Sequence, residues 1–335
     1  MQAAIYGPEG FELSSDERSF FREADPAGFI LFRRNCQDRE QLLRLTDSLR
    51  ELSGRADLPI LIDQEGGRVA RMRPPEWPAF PAAERFAQLY LAAPSSAIEA
   101  ARANARAIAL MLRSAGVNVN ALPLLDVRQP GATDIIGDRA LGDEPMQVAA
   151  LGRAVLDGMS SAGVVGIIKH IPGHGRALVD SHRELPLVPA SAEELESDLE
   201  PFERLAWAPM GMTAHVVYTA WDPERPASLS PIVIRDIIRE RIGFDGWLMS
   251  DDLGMEALKG DFGTRAAGVI AAGCDVALHC SGKMDEMVAV ANAVPAMSAE
   301  GEARLARAMA STMIEPDGLD FAEEIEKRDS LLALA

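Results

Sequence analysis

Three of the chain's five histidines fall within one short stretch, Lys169-His170-Ile171-Pro172-Gly173-His174-Gly175-Arg176-Ala177-Leu178-Val179-Asp180-Ser181-His182, directly after the apolar run Val164-Val165-Gly166-Ile167-Ile168. An ammonium, three imidazoles and a carboxylate on one loop can move protons, clamp hydroxyls or hold an anion. Parallel α/β folds place such loops at the C-terminal ends of buried strands, where a rigid scaffold carries a specialised segment. The i, i+4 spacing of His170 and His174 invites a zinc reading, but Pro172-Gly173 between them forbids the regular helix that would put both rings on one face. Lys169 leaves two chemistries open. It could form a Schiff base as in aldolase-type reactions, or act as a compact triple donor to an anion or hydroxyl.

Other apolar runs end in polar residues of the same kind. Asp63 closes 58–63 and leads into Gln64-Glu65-Gly66-Gly67-Arg68-Val69-Ala70-Arg71; His215 closes 210–215; Ser250-Asp251-Asp252 stands at the end of 246–251; His279 closes 274–279. Arg71 and Arg139, the latter in Ile136-Gly137-Asp138-Arg139-Ala140-Leu141-Gly142, would join Lys169 as anion or hydroxyl clamps. Each residue also has a plainer explanation. Asp63 suits a turn or N-cap, one of Asp251 and Asp252 suits a cap, His215 and His279 suit buried supporting positions, and Gly66-Gly67 suits an unusual backbone turn. Convergence of the strand ends on one mouth is what favours function over these local readings.

The elements that must bring these residues together follow from the alternation of short β-branched runs with longer Ala/Leu/Glu/Arg-rich segments. Eight strands are predicted, at 2–6, 28–32, 58–63, 117–122, 164–169, 210–215, 246–251 and 274–279. Helical periodicity is clearest at 37–53, 96–115, 145–162, 191–206, 230–241, 284–297 and 301–314, with Ser191 as a start signal and Gly116 and Gly163 as stops. No linker or long repeat divides the chain, so residues 1–335 are expected to form one α/β domain, a single (β/α)8 TIM-type barrel. A doubly wound open sheet is the rival fold, but the first strand lacks the G-x-G-x-x-G turn of a dinucleotide site.

Composition narrows the class of function. The formal net charge is -18, with the acidic residues spread along the chain, a field that repels phosphate backbones and anionic membranes. Neither nucleic acid nor membrane is expected as a partner, and no stretch reaches the roughly 18 apolar residues of a membrane span. The N-terminus lacks the basic and apolar regions of a secretory leader, so the cytoplasm is the expected compartment. Cys36, Cys274 and Cys280 read as reduced structural thiols; no CxxC metal site or cofactor motif occurs, and none is expected to be needed.

The segments GFILFRRN (28–35), LPILIDQEGGRVAR (58–71), IGDRALG (136–142), KHIPGHGRALVDSH (169–182), MTAHVVY (212–218) and SLSPIVIRDIIRERIGFDGWLMSDDLGM (228–255) together resemble glycoside hydrolase family 3, and within it the single-domain bacterial β-N-acetylglucosaminidases of cell-wall recycling. The motifs stand in family order and span nearly the whole chain. The resemblance implies a (β/α)8 barrel that releases terminal N-acetylglucosamine from muropeptides with net retention, through a covalent glycosyl-enzyme; a monomer is expected. By position in the motifs, Asp251 resembles the nucleophile and Asp252 its structural neighbour, His182 the acid/base and Asp180 its orienting partner. Asp63, Arg71, Arg139, Lys169 and His170 match the residues that hold the sugar.

Such chemistry needs an anion on one face of the anomeric carbon and a proton donor near the leaving oxygen. Most retaining enzymes use two carboxylates, and an imidazole near its ordinary pKa can fill the second role by donating first and accepting from water afterwards. Arg176-Ala177-Leu178-Val179 departs from the small polar residues common in the family at this point, which bears on loop mobility and aglycone contacts. Three other readings are weighed: a phosphorylase, in which phosphate replaces water; a β-glucosidase or β-xylosidase of the same family, which usually carries extra domains and lacks the Asp-Ser-His element present here; and a sugar-binding sensor without catalysis. The sensor would need neither Asp251 nor His182, and both are present.

Overall fold

Parallel strands buried on both faces read as continuous apolar runs, and every residue of the strands Pro26–Leu31 and Val165–Ile171 is buried. The computed structural model describes all residues except 133, 180, 182, 183, 314, 315, 317 and 335, with the backbone alone at 313. Eight parallel strands close a barrel in chain order: β1 (Gln2–Tyr6), β2 (Pro26–Leu31), β3 (Ile60–Ile62), β4 (Val119–Asn120), β5 (Val165–Ile171), β6 (Met210–Thr213), β7 (Trp247–Asp252) and β8 (Val276–His279). The last strand returns to the first, pairing His279 with Tyr6. All eight strands expected from the apolar runs are present, and closure excludes the open doubly wound sheet.

The outer helices begin and end where local chemistry dictates. Ser191 and Glu194 form a reciprocal capping box at the start of Ala192–Arg204, so two otherwise orphaned N–H groups are satisfied. Gly116 and Gly163 adopt positive φ of 74° and 71° where two long helices stop. Among the described residues four helices escape the periodicity: Ser15–Ala24, Ala83–Ala92, Phe262–Ala272 and Phe321–Leu332. In Phe262–Ala272 the glycines look like breakers, yet Gly268 is there for contact, since a Cβ on it would come within 2.8 Å of Leu229 Cδ2. Tertiary packing overrides the local signal.

A second layer sits above the barrel mouth. Leu187–Val188 and Val217–Tyr218 form a two-stranded parallel sheet, and the buried Tyr218 hydroxyl donates to the Gly173 carbonyl at 2.7 Å. That bond ties the extra sheet to the histidine loop. Among the described residues no helix is long and apolar enough to cross a membrane.

Candidate active site

Strand β3 is short because side chains take over its ladder. Asn118 bonds the Ile60 N–H and the Leu58 carbonyl, and Asn120 bonds both the N–H and the carbonyl of Gln64. Gln64 in turn accepts from the backbone of Arg71 and Met72 and donates to the Met72 carbonyl, closing the loop on itself. Gly66 and Gly67 have φ of 102° and 54°, and a Cβ on Gly66 would lie 2.3 Å from the Pro81 carbonyl oxygen. The turn expected from these glycines is formed, and it fixes where Asp63 and Glu65 point.

Those two carboxylates hold a cluster of cations. Lys169 Nζ lies 3.0 Å from Asp63 Oδ1 and 2.7 Å from Glu65 Oε1, with its side chain only 2% exposed. Arg71 bonds Asp63 Oδ2 at 3.0 Å, and Arg139 grips Glu65 through two bonds of 2.8 Å. Burial by itself would raise both carboxyls, but Lys169 with Arg71 pulls Asp63 well below the ordinary range, and Lys169 with Arg139 does the same for Glu65. For Lys169, burial favours the neutral amine, and Glu65 and Asp63 outweigh it and raise its pKa. A Schiff-base lysine needs the opposite shift. Lys169 is therefore a fixed ammonium, and of its two candidate chemistries the clamp survives.

His170 and His174 both turn on one carboxylate. Asp126, at the end of an apolar stretch beyond β4, lies 2.8 Å from His170 Nδ1 and accepts from the backbone N–H of both His170 and His174. The two rings stand edge to face with centroids 5.7 Å apart, and His174 Nε2 instead meets the Ser181 hydroxyl at 3.2 Å. Their nitrogens serve different partners, which is not the convergence a metal pair needs. Burial, followed by the neighbouring His170, pushes the His174 pKa down to about 4.

That shift has a consequence for stability. Between the ordinary histidine pKa of about 6.5 and the folded value of about 4, the unfolded chain binds a proton that the folded chain refuses, so stability falls as pH falls through this interval. The loss assignable to His174 is roughly 3 kcal/mol. Urea unfolding at pH 7 and pH 4.5 should show His174→Asn losing less stability than the parent over the same interval. Equal losses in the two proteins would contradict the assignment.

On the opposite wall, β7 delivers Asp251 and Asp252. Asp251 Oδ1 accepts the Asp252 N–H at 2.8 Å, and Asp252 Oδ1 accepts from the N–H groups of Gly254 and Cys280. Asp252 Oδ1 thus shapes the turn, and both Asp251 and Asp252 border the cavity. Burial tends to raise the Asp251 carboxyl, but His170, His215, the Asp252 N–H and Lys169 together hold it below the ordinary value. His215, fully buried, is bracketed by Ser228 Oγ at 2.6 Å on Nδ1 and by the Asp252 carbonyl at 3.0 Å on Nε2. His279 is also fully buried, with Nε2 2.9 Å from Ser281 Oγ. Both rings are buried and bonded within the protein, His215 through both nitrogens and His279 through Nε2.

A cavity of about 360 Å³ is lined by Asp63, Arg71, Arg139, Lys169, His170 and Asp251 together, with Phe32, Met212 and Met255 as apolar wall. Six of the eight candidate residues thus share one concave site of the size that takes a small ligand. Asp180 and His182 lie outside the described residues. Sequence reasoning passed over Glu65 and Asp126. Glu65 stood inside a quoted motif two residues after Asp63, and Asp126 was a charge in an otherwise apolar stretch; either oddity was a usable signal.

Comparison with known proteins agrees with this geometry. Residues 7–312 match the glycosyl hydrolase family 3 N-terminal domain. The chain is 41% identical over 282 residues to a beta-hexosaminidase of Alkalilimnicola ehrlichii, covering 83% of this chain and 80% of that protein. Against a beta-hexosaminidase of Xylella fastidiosa it is 39% identical over 294 residues, 86% of each chain. Among solved structures it resembles NagZ from Neisseria gonorrhoeae in complex with N-trifluoroacetyl-D-glucosamine, with TM-score 0.87, 32% identity, and 99% and 98% of the two chains covered.

Proposed function

The chain belongs to glycosyl hydrolase family 3 and is a β-N-acetylhexosaminidase; from that premise we propose that it releases terminal N-acetylglucosamine from muropeptides, including disaccharides ending in 1,6-anhydro-N-acetylmuramic acid, in peptidoglycan recycling. The reading places the protein in the cytoplasm as a monomer. Its main support is the single cavity in which a lowered carboxyl, Asp251, faces a cluster of fixed cations and their carboxylates. A glycosidase needs that pairing of an unprotonated nucleophile with rigid polar holders of the sugar hydroxyls.

In this mechanism Lys169, Arg71, Arg139, Asp63 and His170 hold the terminal sugar. Asp63 with Glu65 balances most of the charge of the three cations, and Asp126 holds His170, so the groups are in place before substrate arrives and need no reorganisation during reaction. Asp251 attacks the anomeric carbon as His182 gives a proton to the leaving oxygen, and the C–O bond to the aglycone breaks. Water then attacks the glycosyl-enzyme, passes a proton to His182 and frees Asp251, so two inversions give net retention. Asp180 orients the imidazole and supports its protonated form.

His182→Ala should slow an alkyl glycoside by about 10²–10⁴-fold but cost far less on a dinitrophenyl glycoside, whose leaving group needs no proton. Rates on a leaving-group series check this, and equal losses throughout would remove His182 from the acid role. The substrate itself is tested by incubating pure protein with the anhydro-disaccharide and following N-acetylglucosamine. Failure to cleave it alongside brisk turnover of a chromogenic N-acetyl-β-glucosaminide would overturn the muropeptide assignment. A sugar 1-phosphate formed in phosphate buffer would replace hydrolysis with phosphorolysis.

A further inference from the structure

Asp126 is fully buried, and no motif role falls to it, yet it joins two parts of the site. Its Oδ1 accepts from the N–H of His174 at 2.6 Å and of His170 at 3.2 Å, and its Oδ2 faces His170 Nδ1 at 2.8 Å. An ionised carboxylate only accepts, so Nδ1 of His170 carries a proton and Nε2 is left to the cavity that the ring lines. From His174 the path continues: Nε2 meets the Ser181 hydroxyl at 3.2 Å, and the Ser181 carbonyl accepts from the Ala257 N–H at 3.2 Å. Ser181 is the middle residue of Asp180-Ser181-His182.

The two loops are also zipped along their backbones. Leu125 N–H donates to the Lys169 carbonyl at 2.7 Å, and Gln129 N–H to the Gly175 carbonyl at 3.3 Å. Gly175 permits this approach, for a Cβ there would stand 1.8 Å from the Val127 carbonyl oxygen. Asp126 thus sits at the centre of a rigid seam, with one arm on the ring beside the sugar and the other on the loop of the Asp-Ser-His element.

We propose that Asp126 is a positioning residue for the glycosidase reaction: it sets the tautomer and orientation of His170 and, through His174, anchors Ser181. The inference rests on the reading of the cavity as a hexosaminidase site. Asp126→Asn tests it, because asparagine keeps an acceptor for the two backbone N–H groups but presents an amide donor to His170 Nδ1. The ring must then carry its proton on Nε2, the error that disables a triad histidine when its carboxylate becomes an amide.

In the 335-residue chain, Asp126→Asn should lower kcat/KM on a chromogenic N-acetyl-β-glucosaminide by about 10²–10³-fold, with far-UV circular dichroism unchanged. Nitrogen-15 NMR should show the His170 proton moved from Nδ1 to Nε2. Added to His170→Gln, the substitution should cost less than about threefold more, since both act through one ring. A kcat/KM within threefold of the parent, an unmoved proton, or losses that multiply would each overturn the proposal.

The second arm is tested without touching Asp126. Ser181→Ala should slow poor leaving groups by about tenfold and good ones less, and its loss should overlap with that of His174→Asn; multiplying losses would break this arm, and they decide the matter if Asp126→Asn does not fold. If the parent protein turned over no N-acetylglucosaminide, the hexosaminidase reading would fail by itself, and the NMR signature would still report whether Asp126 governs His170.

Discussion

Asp251→Ala is expected to lower kcat on N-acetyl-β-glucosaminides by at least about 10⁴-fold while leaving the fold and sugar binding largely intact. The carboxylate makes no buried ion pair in the described structure, and its one side-chain bond is a short local one to the Asp252 N–H. Its removal therefore breaks no ion pair among the described residues and frees one backbone N–H, that of Asp252, beside the cavity. What the proposed mechanism loses is its nucleophile, the anion that would attack the anomeric carbon. Sodium azide should restore turnover in this variant by entering the vacated space, and the product should be the α-glycosyl azide, since azide inverts the centre once. A β-azide, or near-normal hydrolysis without azide, would contradict the assignment.

Lys169→Met should damage both activity and stability. Methionine matches the stem but leaves Asp63 and Glu65 facing each other in a buried site with only Arg71 and Arg139 to balance them. Removing one member of a buried ionic cluster costs about 3–5 kcal/mol, because the charges left behind stay desolvated. Activity should fall by about 10³-fold, since hydroxyl recognition and the placement of Asp63 go together. Thermal unfolding and kinetics measured side by side check this; an unchanged melting temperature would mean that Lys169 does not neutralise the pair. Lys169→Arg should not rescue, because a planar fork cannot reproduce a point donor shared by two carboxylates.

Much of this was legible in the chain, for physical reasons that differ from residue to residue. Strands such as Val165–Ile171 are buried on both faces and leave an unbroken apolar run, so the barrel could be counted before it was seen. Asp63, Lys169, His170 and Asp251 stand where those runs end, and barrel topology brings such ends to one mouth. Helices fared worse. Phe262–Ala272 hides behind glycines placed for close packing, and Ser15–Ala24 behind a polar composition stabilised by its Ser14–Glu17 capping box.

Glu65 and Asp126 were harder still, because the meaning of each lies in partners far along the chain. Glu65 becomes intelligible only beside Arg139 and Lys169, and Asp126 only beside His170 and His174. A linear sequence shows a charge but not what compensates it. His174 shows the same limit from the other side: the Pro172-Gly173 interruption ruled out a helical metal pair, and only the contact with Ser181 supplies an alternative role.

The central claim is that this barrel works through a covalent glycosyl-enzyme on Asp251. Incubation with a 2-acetamido-5-fluoro glycosyl fluoride, followed by intact-mass measurement and peptide mapping, tests it most directly. The account predicts one sugar per chain, attached within the peptide containing Ser250-Asp251-Asp252 and located on Asp251. A stoichiometric label on any other residue, or turnover of the reagent with no adduct at any time, would contradict it.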